Sequence, residues 1–318
     1  MASRPKILID CDPGHDDAVA ILFAHRHLDL VGVTTVHGNN TLANTTLNAL
    51  RVLALGAIAV PVAAGAAVPL VQDANPPAAL HGSSGLDGAS LPAPVAAPLA
   101  LHGAEFIIEM ASKHRGALVL AVLGPQTNVA LALRREPRLK DWLAEITIMG
   151  GSTALGNITP VAEFNIHCDP EAAAIVFESG VPIRMVGYNV TRTTGFDGHD
   201  IARLRASGRG VARTMADLLD FYLHKQRQAF ALELAPMHDV CAIVPYVAPQ
   251  LIDYAHTSVS VELAGTHTRG QTVCDLRNVQ AAAALHLRGL APANARVALA
   301  ARARPLIDLV IDTLLTYP

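Results

Sequence analysis

Ile7-Leu8-Ile9-Asp10-Cys11-Asp12-Pro13-Gly14-His15-Asp16-Asp17-Ala18 decides how the rest of the chain is read, because four carboxylates fall within eight residues between two apolar runs. Residues 6–10 read as a short buried strand, Pro13-Gly14 as a turn, and 16–25 as a helix. Side chains two apart on a strand share a face, so Asp10 and Asp12 leave its C-terminal end together. Asp16 and Asp17 fall in the first helical turn, where the dipole favours negative charge. The dipole does not hold four anions: two carboxylates ~5 Å apart at an effective dielectric of ~20 repel by roughly 3 kcal/mol. Either some are protonated or a cation lies among them. A solvated acidic turn is the plain alternative, and the apolar runs on both sides speak against it.

Outward from this stretch, strand, polar turn and helix keep alternating. Residues 30–36 read as a strand closed by His37-Gly38-Asn39-Asn40, and 41–55 as a helix that Gly56 stops. A third strand is expected at 59–64. From 65 to 98 the periodicity fails, with His81-Gly82-Ser83-Ser84-Gly85-Leu86-Asp87-Gly88 in its middle, and a stretch this long signals a functional loop or a surface insertion. Helices follow at 99–114, up to Arg135, and at 171–179, with strands at 118–123, 146–149 and 183–187. A mostly parallel sheet flanked by helices is the result, with a Rossmann-like core and one domain over residues 1–318. In such sheets functional residues gather outside the C-terminal strand ends, where most of the polar clusters of this chain fall. The last third is less regular: a long helix at 211–234, an apolar helical run at 240–247, a hairpin from 259–263 and 271–276, a strand at 295–299 and a helix at 306–315.

Composition narrows the function. The chain has 318 residues, 51% of them hydrophobic, and a net charge of −3, so a large core is assured and no basic footprint for nucleic acid exists. Its four cysteines are far apart without a Cys-x-x-Cys, which argues against zinc and against a disulfide framework and makes a reduced, cytoplasmic setting the expectation. The N-terminus enters a strand almost at once, leaving no room for a signal peptide, and no apolar run is long enough to span a membrane.

Asp, Asn and Thr converging on one sheet edge suit a hard, oxygen-seeking cation such as calcium. His238-Asp239 adds one carboxylate and one imidazole at the head of an apolar helix, a pairing that is by itself also an ordinary cap. At this point the residues resemble a family. Asp10-Cys11-Asp12-Pro13-Gly14-His15-Asp16-Asp17 is similar to the N-terminal signature of the nucleoside hydrolases, the inosine-uridine preferring ribohydrolases. Thr34-Thr35-Val36-His37-Gly38-Asn39, His81-Gly82, Gly150-Gly151, Glu163-Phe164-Asn165 with Asp169-Pro170-Glu171, and His238-Asp239 continue the resemblance in order.

That resemblance implies calcium-dependent hydrolysis of the N-glycosidic bond of ribonucleosides. By position it implies Asp12, Asp17 and Asp239 as side-chain ligands of Ca2+, with Thr127 adding its backbone carbonyl. Asp16 and Asn165 would hold the ribose 2′- and 3′-hydroxyls, Asn39 the same part of the sugar, Asn157 and Glu163 its 5′ end, and Met149 the ribose floor. Asp10 would be a supporting carboxylate, Asp12 also the base that activates water, and His238 the acid for the leaving base. His81 would cap the base side when its loop closes. Breaking the C1′–N bond develops positive charge on the ribose, which explains so many carboxylates around one cation. Family members are commonly homodimers or homotetramers. The purine-specific branch stacks the base between tryptophans, whereas Trp142, the only one here, reads as structural. Tyr222 and Gln226 are either base-side residues or ordinary faces of a long helix.

Two other readings stay in view. A haloacid-dehalogenase-like phosphatase also opens with Asp-x-Asp after its first strand, but has no use for Glu163-Phe164-Asn165 or His238-Asp239. A non-catalytic nucleoside or ribose binder would retain the same site without turnover, against which the intact Asp12 and His238 speak.

Overall fold

The computed structural model describes residues 4–74, 79–277 and 291–318. Part of the expected 65–98 loop, residues 75–78, lies outside the described residues. Strands are β1 (Lys6–Cys11), β2 (Asp29–Thr35), β3 (Val62–Ala64), β4 (Leu118–Val122), β5 (Leu143–Met149), β6 (Ile183–Val186), β7 (Gly195–Phe196), β8 (Ala235–Pro236), β9 (Ile252–Thr257), β10 (Val259–Val261), β11 (Thr272–Cys274) and β12 (Ala295–Ala301). Helices are α1 (His15–His27), α2 (Leu42–Leu55), α3 (Gly103–Lys113), α4 (Thr127–Arg135), α5 (Leu139–Trp142), α6 (Phe164–Cys168), α7 (Pro170–Phe177), α8 (Tyr188–Thr191), α9 (Gly198–Ala206), α10 (Gly210–Phe230), α11 (His238–Ile243) and α12 (Ala303–Leu314).

Among the described residues the main sheet runs β3-β2-β1-β4-β5-β6-β12-β9. It is parallel from β3 to β12, and β9 pairs antiparallel to β12. This is the expected open, mostly parallel α/β fold. The chain winds outward from β1 through β2 to β3 and then returns to the other side of β1 with β4. Strand order therefore reverses between β1 and β4, and a crevice opens beyond their C-terminal ends. Asp10 is in register there with Thr34 on one side and Val122 on the other.

Period-2 alternation on β1 divides the core. Ile7, Ile9 and Cys11 join the cluster that includes α1, α10, α11 and α12, and Leu8 joins the cluster that includes α3, α4 and α7. Helix α1 is buried along its length from His15 to Ala24, so its first-turn carboxylates point into protein.

Where elements differ from the sequence reading, local chemistry explains it. The long helix stops at Phe230, because Ala231 caps it in a left-handed conformation with φ of 54°, and Ala235–Pro236 then pairs with β7. Strand β9 and helices α5, α6 and α9 are not anticipated: the first carries Asp, Tyr and His within its run, and α5 and α6 have only four and five residues. No described helix is long and apolar enough to cross a membrane.

Candidate active site

A cleft opens over the C-terminal strand ends. Asp16, Asn39, His81, Met149, Asn157, Glu163, Asn165, His238 and Asp239 line it, together with Tyr222 and Gln226, whose roles the sequence leaves open. Asp12, Asp17 and Thr127 lie behind that lining.

The acidic floor is built first. Asp10, at the end of β1, accepts hydrogen bonds from Thr34 Oγ1 at 2.6 Å and Asn128 Nδ2 at 2.8 Å. Burial nonetheless pushes its carboxyl up to about 7. Asp12 Oδ2 accepts the Asn39 backbone N–H at 2.6 Å. Gly38 and Gly124 enclose the same carboxylate: a Cβ on Gly38 would fall 2.0 Å from Oδ2, and one on Gly124 2.5 Å from Oδ1. Backbone can approach Asp12 this closely only where there is no side chain, which also suits the positive φ of Gly38.

Asp16, Asp17 and Asp239 each bring a buried carboxylate oxygen within 4.8 Å of the others. Burial first, and the neighbouring carboxylates second, push Asp12, Asp16 and Asp239 well above the usual range. Burial also raises Asp17, to about 6, against the Gly14 N–H that donates to its Oδ2 at 2.8 Å. Asp16 Oδ1 and Asp17 Oδ1 are buried without a hydrogen-bond partner. Buried oxygens left bare in this way need a proton or a cation. An all-oxygen donor set fits a hard cation. Asp16 falls in this trio beside the expected Asp17 and Asp239, while Asp12 lies outside it with Oδ2 accepting the Asn39 amide.

Thr127 opens α4 just behind this group. Its hydroxyl donates to Asp169 Oδ2 at 2.7 Å and meets His37 Nε2 at 3.0 Å. Asp169 in turn caps α7 through the Ala172 N–H. The sugar-side residues are fixed by backbone groups. Asn165 donates Nδ2 to the carbonyls of Leu123 and Met149, at 2.7 and 3.1 Å, leaving its amide oxygen to the cleft. Asn157 Oδ1 accepts the Phe164 N–H at 2.8 Å. Glu163 accepts three backbone N–H groups, from Gly151, Asn165 and Ile166, yet burial outweighs them and raises its carboxyl to about 7.

Above the carboxylates lies an imidazole and aromatic layer. His238, at the start of α11, is half-buried, desolvation lowers its pKa to about 4, and its Nδ1 meets Thr191 Oγ1 at 2.7 Å. His81 belongs to a 3₁₀ turn, Ala79–His81, and stacks on Tyr222 with ring centroids 5.1 Å apart. Trp142 is far from this layer; guanidinium groups of Arg115 and Arg138 lie over its ring.

Sequence reasoning passes over three residues here. Thr191 and His15 have no role of their own in the sequence reading, and neither does Tyr188, although it lines the cleft. The partners of Thr191 and His15 are 47 and 66 residues away, so nothing local marks either.

Comparison with known proteins identifies the family. The sequence model of the family described as inosine-uridine preferring nucleoside hydrolase matches residues 7–306. A pyrimidine-specific ribonucleoside hydrolase RihA from Shewanella oneidensis is 41% identical over 315 residues, 98% of this chain and 96% of the relative. The solved structure of a plant nucleoside hydrolase, the PpNRh1 enzyme, superposes with a TM-score of 0.90 at 30% identity, covering 98% of this chain and 99% of the other. A purine-preferring ribonucleoside hydrolase from Gardnerella vaginalis superposes at 0.89 and 28% identity, with 98% of each chain covered. The chain belongs to the inosine-uridine preferring nucleoside hydrolase family. It is an enzyme, a nucleoside N-ribohydrolase. The phosphatase alternative is thereby set aside.

Proposed function

We propose that this enzyme hydrolyses the N-glycosidic bond of pyrimidine ribonucleosides, with calcium as its metal. The bare oxygens of Asp16 and Asp17, beneath a cleft whose other wall carries His81 and His238, are the observation that carries the reading. The name of the relative from Shewanella oneidensis supports the pyrimidine preference. Trp142, packed far from the cleft, leaves no tryptophan to stack a purine.

Asp12, Asp17, Asp239 and the Thr127 carbonyl would hold the ion, with Asp16 beside them. When bound, the cation supplies an anchor for vicinal hydroxyls and lowers the pKa of water toward neutrality. The side chains of Asp16, Asn39 and Asn165 fix the 2′- and 3′-hydroxyls, Asn157 and Glu163 hold the 5′ end, and Met149 supports the ring. Asp12 takes the proton of the attacking water, the part of a carboxylate base placed beside the ion. The same carboxylates stabilise positive charge as it spreads over the ribose.

His238 is the leaving-group acid. With its ring neutral, an Nε2–H is what it offers to the charge developing on the departing base. A Thr191 hydroxyl that donates to Nδ1 keeps the ring proton on Nε2. His81 faces the base from the docked loop.

One assay tests the reading: free-base release from uridine, cytidine, inosine and adenosine, with and without a chelator. We expect turnover of the two pyrimidine nucleosides, loss on chelation and recovery with calcium. Equal turnover of all four nucleosides overturns the base preference, and activity that survives chelation overturns the metal. The proposal also includes one domain over residues 1–318, a cytoplasmic setting and a homodimer or homotetramer, the last tested by light scattering.

A further inference from the structure

We propose that His15 is a positioning residue for this reaction, acting through His81: it pins the 79–88 turn against the acidic motif and fixes which nitrogen of His81 the substrate meets. The proposal rests on the reading of His81 as a base-side residue.

His15 is buried and is absent from the cleft lining, so it does not touch substrate. Both of its ring nitrogens are committed. Nε2 lies 2.8 Å from the carbonyl of Asp87, and Nδ1 lies 2.9 Å from His81 Nδ1. Its ring is stacked on Tyr222 at 5.2 Å and 4°, and on Phe221 at 5.6 Å and 13°. Gly14 shows how tightly the turn and the ring meet: a Cβ there would fall 2.6 Å from His81 Nδ1. The turn is tied down independently. Asp87 accepts the Ser83 and Ser84 N–H groups, and Asn48 Nδ2 donates to the carbonyls of both Pro13 and Ser84.

Counting protons then settles the character of His81. A carbonyl only accepts, so His15 Nε2 carries a hydrogen. With both rings neutral, His15 Nδ1 is bare, and the hydrogen between the two Nδ1 atoms belongs to His81. The His15 backbone N–H donates toward His81 Nδ1 at 3.3 Å and by itself calls for a bare nitrogen there, but it is the longest of the three contacts and is outweighed by the two ring contacts at 2.8 and 2.9 Å. His81 Nε2, the nitrogen left over, is therefore a hydrogen-bond acceptor. His238 offers a donor. Two histidines of opposite character suit a base with an N–H beside a carbonyl oxygen, as uracil carries at N3 and O2.

The test uses the whole chain with ¹⁵N-labelled histidine. A long-range ¹H–¹⁵N spectrum at neutral pH is expected to show His81 protonated on Nδ1 and bare on Nε2, with the resonance assigned by its loss in His81→Ala. The opposite tautomer overturns the proposal. This readout needs no turnover, so it separates failure of the His15 assignment from failure of the hydrolase reading. His15→Phe retains the ring stack and removes both nitrogens. It is expected to lower kcat/KM for uridine about tenfold, mainly through KM, the scale of one lost buried hydrogen bond. In a His81→Ala background the same change is expected to cost about twofold or less. An undiminished loss there means that His15 does not act through His81.

Discussion

The two walls of the cleft are made differently. The acidic wall hangs from the ends of adjacent parallel strands. Asp10 and Asp12 leave β1, Thr127 follows β4, and hydrogen bonds from Thr34, Asn128 and Asn39 hold the carboxylates in place. The imidazole wall is assembled from a loop turn, the face of α10 and the heads of α8 and α11, elements joined only by tertiary contacts. In the proposed mechanism, chemistry that every substrate needs, holding a ribose and activating water, falls on the stiff wall. Recognition of the base then falls on the wall built from loops and helix ends, where sequence change is tolerated.

Asp12→Ala breaks the stiff wall most completely. It removes the base and one member of the proposed ligand set together, so kcat for uridine is expected to fall by about 10⁴-fold or more. Circular dichroism should show the fold intact, because loss of one buried carboxylate relieves repulsion from Asp17 and Asp16. Near-normal hydrolysis would leave the mechanism without its base. His238→Ala tests the other wall. Loss of the leaving-group acid is expected to slow uridine by about 10²- to 10³-fold. p-Nitrophenyl riboside, whose leaving group needs no proton, should slow about tenfold at most. Equal losses on the two substrates would remove the acid role from His238.

The same division governs what residues alone reveal. Asp10 to Asp17 is one short stretch, and strand periodicity with helix polarity is enough to put its carboxylates at one sheet edge. Glu163-Phe164-Asn165 and His238-Asp239 are legible because each is a compact block. The pairing of His15 with Asp87, 72 residues away, leaves no local trace, since a histidine inside an acidic motif has no periodicity to betray it. Short elements such as α6 escape for the same reason: five residues show too little of a helical period.

Glu163 sharpens the comparison at the sugar end of the stiff wall. Its carboxyl is raised from an ordinary value of 4.5 to about 7 by burial, so the folded chain binds the extra proton in that window. The associated stability is full below about pH 4.5 and is lost as pH rises through about 7. The shift corresponds to about 3 kcal/mol, and Glu163→Gln, which cannot ionise, should escape it. Urea unfolding between pH 5 and 8 is expected to show the Gln variant gaining on the parent as pH rises. A gap that is flat, or that closes, would mean that the three backbone N–H groups outweigh burial.

Thr191→Val is the smallest change and the most selective. Valine keeps the shape of threonine and removes the hydroxyl that meets His238 Nδ1 at 2.7 Å. One neutral, part-buried hydrogen bond contributes about 1 kcal/mol, so kcat for uridine is expected to fall about fivefold. The ring itself remains in place against Tyr188, so the fold and the metal carboxylates should be untouched. Without a donor at Nδ1 the ring proton is free to leave Nε2, and only substrates whose base needs that proton should register the loss. Hydrolysis of p-nitrophenyl riboside should therefore be unchanged. Adding Thr191→Val to His238→Ala should cost nothing further, because a residue that works through His238 has no effect once the imidazole is gone. If the losses on uridine instead multiply, Thr191 acts on the cleft by another route, and the helix head, not the histidine, is what it holds.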